Sequence, residues 1–358
     1  MNHISALKVG CGKFFHGKNV LCLLPDEIRR LGGKALVIGG KNSMKAFLDQ
    51  PMIGDLLISP DIECQMIEFS GECTVARAKQ YADTALKEKA TVLVGIGGGK
   101  CIDTVKCSSV FSALPIITVP TSIATCVATS MTAIMYNEKG QRAPAVNLEK
   151  EVDVCIADRD LIATAPERTL AAGILDSIAK YPECLHQKDP SSFDSCSLKD
   201  LIQIINGRSI YHFLLEKYPA VYQQDKNTTV FDDIILTNLL HTSIVSGFAD
   251  GSGQLAIAHA TYDFMRNYNT IHSAPFMHGE IVAVGLLVQM RYNGFSKDEI
   301  EPVRSAMKSM NMPCILKDLN YEPSNDNLLF YIDHIAEDSN IRTPAEKSRL
   351  AEAVKEIL

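Results

Sequence analysis

The sequence predicts an α/β fold in its first half and an all-helical second half, and three observations carry that reading. Short apolar runs alternate with helix-period segments over roughly the first 160 residues. From about Pro166 onward the strand signals stop, and segments of period near 3.6 follow one another. Within the first half, Val92-Leu-Val-Gly-Ile-Gly-Gly-Gly-Lys100-Cys-Ile-Asp103-Thr-Val-Lys106 joins an apolar strand to a helix through a glycine-rich turn.

The elements follow in order. Ala35-Leu-Val-Ile38 is a strand ended by Gly39-Gly40, with Asn42 placed to cap the next helix. Residues 63 to 69 form a second strand and residues 74 to 89 a helix. A strand at 91 to 96, a helix at 100 to 112 and the strand Ile116-Ile-Thr-Val119, stopped by Pro120-Thr121-Ser122, complete the alternation. Such alternation indicates a parallel sheet with helices on both sides, and a nucleotide would lie at the strands' carboxyl ends. Residues 129 to 146 read as an antiparallel hairpin turning at Asn137 to Gly140, and Val152 to Ala157 is a further strand. In the helical half, breaks are expected at Pro190, Gly251 to Gly253, Pro275, Pro313 and Pro323. A boundary at residue 162 divides a dinucleotide-binding α/β domain, 1–162, from a helical domain, 163–358.

A length of 358 residues accommodates two domains with a sizeable core each. The 46% hydrophobic and 22% charged fractions are those of a globular enzyme. A formal net charge of −7, without a basic stripe, argues against a nucleic-acid partner. The run Ile281 to Val288 is too short to span a membrane, and no long apolar stretch follows the first residues, so a cytoplasmic location is expected. Eleven cysteines, scattered singly from Cys11 to Cys314, match neither a disulfide framework nor a C-x-x-C metal pattern and read as small core residues in a reducing compartment. Cys126 is the one to watch.

The glycine turn has the build of a phosphate cradle. Consecutive glycines let main-chain N–H groups approach a pyrophosphate, and the helix that follows adds its positive dipole. A Walker loop is excluded, because Val94 and Cys101 stand where Gly and Ser or Thr are needed. The dinucleotide pattern G-x-G-x-x-G fits Gly95 and Gly97 and fails at Lys100. The competing reading is a tight strand-to-helix turn that holds no ligand.

In the helical half, Asp176, His259 and His278 each sit among apolar or small residues, where a carboxylate or imidazole is costly unless something meets it. A divalent metal with an open position for a substrate oxygen would satisfy all three. Three separately satisfied core residues are the alternative.

Five motifs occur in the order seen in glycerol dehydrogenases: Phe14-x-His-Gly-Lys-Asn, Gly97-Gly-Gly-Lys-x-x-Asp-x-x-Lys, Val119-Pro-Thr-Ser-Ile-Ala-Thr, Ala172-Gly-Ile-Leu-Asp and His278-Gly-Glu-x-Val-Ala. The chain resembles this branch of the metal-dependent (iron- or zinc-containing) alcohol dehydrogenases, a superfamily similar also to dehydroquinate synthase. The resemblance spans nearly the whole chain. It implies a Rossmann-like N-terminal domain, a helical C-terminal domain and a cleft between them. It implies a homo-oligomer acting on a small-molecule substrate.

Carried over by position, the resemblance assigns the metal to Asp176, His259 and His278. Zinc is expected over iron, since iron-holding relatives place a His where Lys180 stands. The pyrophosphate of NAD or NADP would meet Gly97, Gly98, Gly99 and Lys100, with Asp103 closing the cradle. Thr121, Ala124, Ser130 and Tyr136 fall where relatives line the nicotinamide and ribose pocket, with Ala124 in place of the usual Ser.

Two departures bear on specificity. Cys126 stands where glycerol dehydrogenases place an Asp that resembles an acceptor for substrate hydroxyls, and a thiol accepts hydrogen bonds poorly. Lys180, four residues after Asp176, falls on the same helix face. Together these changes remove a negative charge and add a positive one, which points to a 2-hydroxy or 2-oxo carboxylate substrate, similar to a hydroxycarboxylate dehydrogenase subgroup. The alternative is that Lys180 reaches solvent or pairs with Glu183. Gly40 is the second departure: NAD-specific relatives have an acid there, so NADP is expected to be accepted. His272 is a candidate for proton exit, with a surface position as the alternative. Glycerol dehydrogenase, a dehydroquinate synthase-like lyase and a nucleotide-binding protein without catalysis are the rival readings.

Overall fold

Strand β2 runs from Lys34 to Gly40 and is buried on both faces, the pattern of a central strand in a covered parallel sheet. The computed structural model describes residues 9–51, 53, 61–191, 193–249 and 256–358. Around β2 lie β1 (Cys11–Gly17), β3 (Glu63–Phe69), β4 (Val92–Gly97), β5 (Ile116–Pro120) and β8 (Val152–Asp158). They form a six-stranded sheet of order β1-β8-β5-β4-β2-β3, parallel throughout. Side chains alternate across it with period two. Leu36 and Ile38 face Ala78, Tyr81 and Val105 of the helices Val75–Lys87 and Gly99–Ser112. Ala35 and Val37 face Leu24, Ile28 and Phe47 of the helices Leu24–Arg30 and Lys41–Leu48. Each large aliphatic side chain buried in this way contributes about 1.5–3 kcal/mol of transfer free energy.

After β2 the chain moves to the β3 edge and then returns to the opposite side of β2 for β4 and β5. The loops leaving β2 and β4 therefore diverge at a topological switch point, the place where open α/β sheets bind ligands. The register brings Gly39 level with Ile96 and Gly97 level with Pro120, so the carboxyl ends of β2, β4 and β5 share one rim.

The expected hairpin is present. Thr132–Ala133 (β6) pairs antiparallel with Val146–Asn147 (β7), Tyr136 bridges Arg142, and the turn closes through Asn137 and Gln141. Asn42 does not cap its helix: the helix starts at Lys41, and Gly40 is the N-cap without a side-chain bond. Thr74 does cap Val75–Lys87, accepting from the Arg77 N–H. β1 and the helix Leu24–Arg30 have no counterpart in the sequence pattern.

The chain divides into two compact units, 1–170 with 223–251, and 171–222 with 252–358. A single boundary at residue 162 does not describe this division, because the helices Thr229–Leu236 and Thr242–Phe248, with the π turn Thr237–His241 between them, return to the sheet unit. Polar contacts hold them there: Asn238 Nδ2 donates to the Ile123 carbonyl, Thr129 Oγ1 donates to the Leu239 carbonyl at 2.6 Å, and Arg159 pairs with Asp232 at 3.0 Å.

The second unit is helical. Its centre is His278–Tyr292, buried all round from Ile281 to Met290, as expected of a helix with neighbours on every side. Helix ends fall near Pro275, Pro313 and Pro323, and Glu167–Cys184 ends before Pro190. Gly251 to Gly253 lie outside the described residues. No helix among the described residues is long and apolar enough to cross a membrane. The eleven cysteines all lie among the described residues and none forms a disulfide, and burial pushes Cys101 up to about 12, which leaves it an inert core residue.

Candidate active site

The glycine turn lies on the rim where β2, β4 and β5 end. Gly98 is the N-cap of Gly99–Ser112, and the first bond within that helix is Ile102 N–H to the Gly98 carbonyl, so the preceding N–H groups face outward. A Cβ on Gly97 would meet Cys101 Cβ at 2.9 Å, so packing alone requires that glycine. Gly98 and Gly99 differ. A Cβ there would find its nearest neighbours at 3.5 and 3.9 Å, and neither residue has a positive φ. Since neither packing nor backbone conformation demands glycine there, the open space fits a ligand's close approach to the main chain. Gly40 is equally open, since a Cβ there would find Ser43 Oγ at 3.8 Å, and Ser43 Oγ is 3.0 Å from Thr121 Oγ1.

Two expected cradle side chains turn elsewhere. Lys100 is half-exposed, pairs with Glu72 at 2.8 Å and lies over the Tyr136 ring. Asp103 is buried and pairs with Lys106 at 2.9 Å. Burial raises the Asp103 carboxyl above its ordinary range, although Lys106 opposes the rise. Lys106 is fully buried, and its Nζ lies within hydrogen-bond distance of the carbonyls of Val127, Ser130 and Thr132 and of Ser130 Oγ. It therefore ties down the loop that carries Ala124, Cys126 and Ser130. Cys126 is half-buried at the start of a turn, its carbonyl accepting from the Thr129 and Ser130 N–H groups at 3.2 Å.

In the second unit, Asp176, His259 and His278 converge. One ligand atom from each lies within 4.8 Å of the others. Close-approach glycines make this possible. A Cβ on Gly279 would stand 1.9 Å from the Ala172 carbonyl oxygen, so only glycine lets the start of His278–Tyr292 reach Glu167–Cys184 one turn before Asp176. Gly285 does the same against Thr261 and Ala258 of Ile257–Tyr268. Arg266 donates to the carbonyls of Ser273 and Phe276, holding the segment that leads into His278.

Asp176 Oδ1 is 3.4 Å from His259 Nε2 and 3.4 Å from His278 Nε2, and it is buried without a hydrogen-bond partner. Two atoms each about 2.1 Å from one ion at the tetrahedral angle are about 3.4 Å apart. The spacing and the orphaned oxygen both fit a divalent cation. Burial would raise the Asp176 carboxyl, but the Lys180 charge and the adjacent imidazoles of His278 and His259 hold it well below the carboxylate range. Burial pushes His278 down, against the Asp176 charge. For His259, burial and the Lys180 charge oppose a second proton while Glu183 favours it.

Glu183 had no catalytic or binding role in the sequence reading. Its Oε1 accepts from the His259 N–H at 3.0 Å, and its carboxylate meets His259 Nδ1 at 2.7 Å. Its position, seven residues after Asp176 on one helix, is the signal that could have revealed it. Lys180 does not reach solvent: it is buried, with Nζ 3.0 Å from His259 Nε2 and 3.6 Å from Asp176 Oδ1. His272 is exposed on the short helix Thr270–Ser273.

The profile of the family described as iron-containing alcohol dehydrogenase matches residues 11–159. The chain is 27% identical over 338 residues to a glycerol dehydrogenase of Thermotoga maritima, covering 92% of this chain and 89% of the relative. It is 27% identical over 262 residues to hydroxycarboxylate dehydrogenase A of Escherichia coli, covering 72% and 71%. Its fold matches the crystal structure of a probable glycerol dehydrogenase from Sinorhizobium meliloti, with TM-score 0.79, 22% identity and coverage of 99% and 98%. Residues 11–159 thus match the iron-containing alcohol dehydrogenase family, and most of the chain is similar to glycerol dehydrogenases, which makes it an oxidoreductase acting on CH–OH groups.

Proposed function

We propose that this oxidoreductase works with a divalent metal held by Asp176, His259 and His278, zinc in preference to iron, and moves hydride between a nicotinamide cofactor and a small 2-hydroxy or 2-oxo carboxylate. The observation that carries the reading is the convergence of those three ligand atoms, the buried carboxylate oxygen among them accepting no hydrogen bond. When bound, the metal supplies Lewis-acid stabilisation of negative charge on the substrate oxygen, and the nicotinamide accepts or donates the hydride. The protein's own residues do the rest. Glu183 keeps His259 Nδ1 protonated as a donor, which leaves Nε2 to face the ion. The main-chain N–H groups from Gly98 to Cys101 and the helix dipole behind them receive the cofactor's pyrophosphate. Lys106, through the loop it ties down, fixes Ser130 and the backbone around Cys126.

The carboxylate preference rests on two residues taken separately. Cys126 offers no carboxylate to a polyol hydroxyl, and Lys180 adds a buried cation to the metal-ligand set. The similarity to hydroxycarboxylate dehydrogenase A points the same way. Glycerol or another vicinal diol is the second reading, favoured by relatives named glycerol dehydrogenase. Gly40, open and without an acid, supports acceptance of NADP beside NAD.

A matrix of NADH and NADPH against dihydroxyacetone, 2-oxobutyrate and 2-oxoglutarate, with zinc present, tests the proposal. Faster net oxidation with an oxo acid is the expected result, and Lys180→Met should lower kcat/KM on oxo acids more than on dihydroxyacetone. Turnover confined to dihydroxyacetone would favour the diol reading. Product formed without net cofactor oxidation would contradict dehydrogenase chemistry.

A further inference from the structure

His259 Nε2 has one in-plane lone pair, and the structure gives it two claimants. With Nδ1 donating to Glu183, Nε2 is the nitrogen that faces Asp176 Oδ1 and can ligate a cation. Lys180 Nζ is 3.0 Å from that same atom, and an ammonium has donors only, so at this distance the lone pair accepts from Lys180. Nζ is also 3.6 Å from Asp176 Oδ1, the oxygen shared by both histidines. Any ion about 2.1 Å from both Oδ1 and Nε2 would lie within about 4 Å of Nζ as it now stands. At that separation in a buried site, a divalent ion and an ammonium repel strongly. Lys180 is buried and four residues from Asp176 on one helix, so it is held in this corner.

We propose that Lys180 is a resident cation that competes with the divalent metal for Asp176 and His259, so that metal loading requires its displacement and Lys180 weakens metal affinity. The inference rests on Asp176, His259 and His278 being metal ligands and is independent of the substrate's identity. In the metal-free protein the ammonium offsets the buried Asp176 charge and keeps the ligand corner assembled. Once displaced by the metal, the amino group becomes available to an anionic group on the substrate.

The test is zinc affinity of the chelator-stripped protein, measured by competition with a chromophoric chelator, for wild type, Lys180→Met and Lys180→Arg. Lys180→Met should bind zinc at least tenfold more tightly than wild type, while Lys180→Arg, which keeps the charge, should show no such gain. Should the Met variant not fold, Lys180→Gln is read in the same way. Wild type and the neutral variant binding zinc with equal affinity, or the neutral variant binding it more weakly, would overturn the competition and leave the metal site standing. Failure of every form to bind zinc, cobalt or iron(II) would overturn the metal site itself.

Discussion

Glu183 holds His259 at two points, accepting its backbone N–H at 3.0 Å and meeting its Nδ1 at 2.7 Å. One carboxylate thus satisfies an early N–H of the helix Ile257–Tyr268 and fixes the imidazole's tautomer and angle. Glu183→Gln keeps the shape and removes the charge. Zinc affinity should fall about 10–100-fold, the usual cost of losing such a supporting partner. A chelator competition assay reads this directly, and unchanged affinity would show that Glu183 only stabilises the helix.

Lys106 and Asp103 form a buried pair beneath the loop 126–132. Lys106→Met strands the Asp103 charge and should cost about 3–5 kcal/mol in urea unfolding. It should also weaken NADPH binding, because the loop carrying Ser130 loses its anchor. The double variant with Asp103→Asn should regain part of the stability but not the cofactor affinity. Wild-type stability for the single variant would refute the role of the pair.

Gly40 leaves open space at the end of β2, where an added Cβ would meet only Ser43 Oγ at 3.8 Å. An acid at this position should receive the adenosine ribose hydroxyls and repel a 2′-phosphate. Gly40→Asp is therefore expected to raise the NADH to NADPH ratio of kcat/KM by about tenfold or more, equivalent to about 1.4 kcal/mol of discrimination. Steady-state kinetics with both cofactors decides, and an unchanged ratio would place the adenosine elsewhere.

His186 is buried, with Nε2 2.8 Å from the Ser339 carbonyl and Nδ1 3.2 Å from Gln289 Nε2. Gln289 can only donate from that nitrogen, so the imidazole is neutral, and burial holds its pKa below the usual 6.5. A histidine lowered on folding contributes stability that is fully present above its unfolded pKa and is lost as pH falls through its folded value. Wild-type unfolding free energy should therefore decline below about pH 6.5, this residue adding at most about 1.4 kcal/mol per pH unit. The difference between wild type and His186→Gln isolates that part: it should shrink between pH 7.5 and pH 5.5, and a constant difference would contradict the assignment.

The parts that were legible in the sequence are those that a local pattern dictates. β2, β4 and β5 are apolar runs because both faces are covered, and the hairpin turn is written in Asn137 to Gly140. β1 was not legible, since Cys-Gly-Lys-Phe-Phe-His-Gly is a half-exposed edge strand without a clean apolar run. Helical periodicity does not say which core a helix joins, so the return of residues 223–251 to the sheet unit depends on contacts such as Thr129 with Leu239. Asp176, His259 and His278 stood out as polar residues in apolar surroundings. Glu183 and Gly279 did not, because their work is done across helices: one carboxylate against an imidazole, one absent Cβ against the Ala172 carbonyl. Asp103 has ligand-like spacing after the glycines, yet its partner proved to be Lys106.

The central claim is that Asp176, His259 and His278 hold the ion on which turnover depends. The direct measurement is a zinc titration of chelator-stripped protein during NAD(P)H oxidation with an oxo acid, for wild type and for His278→Ala. In wild type, activity should rise from near zero to a plateau at one ion per chain, and in His278→Ala it should stay at least about a hundredfold lower, a loss of about 2.7 kcal/mol in transition-state stabilisation. Full turnover by stripped wild type, or equal activity in the His278→Ala protein, would contradict the account.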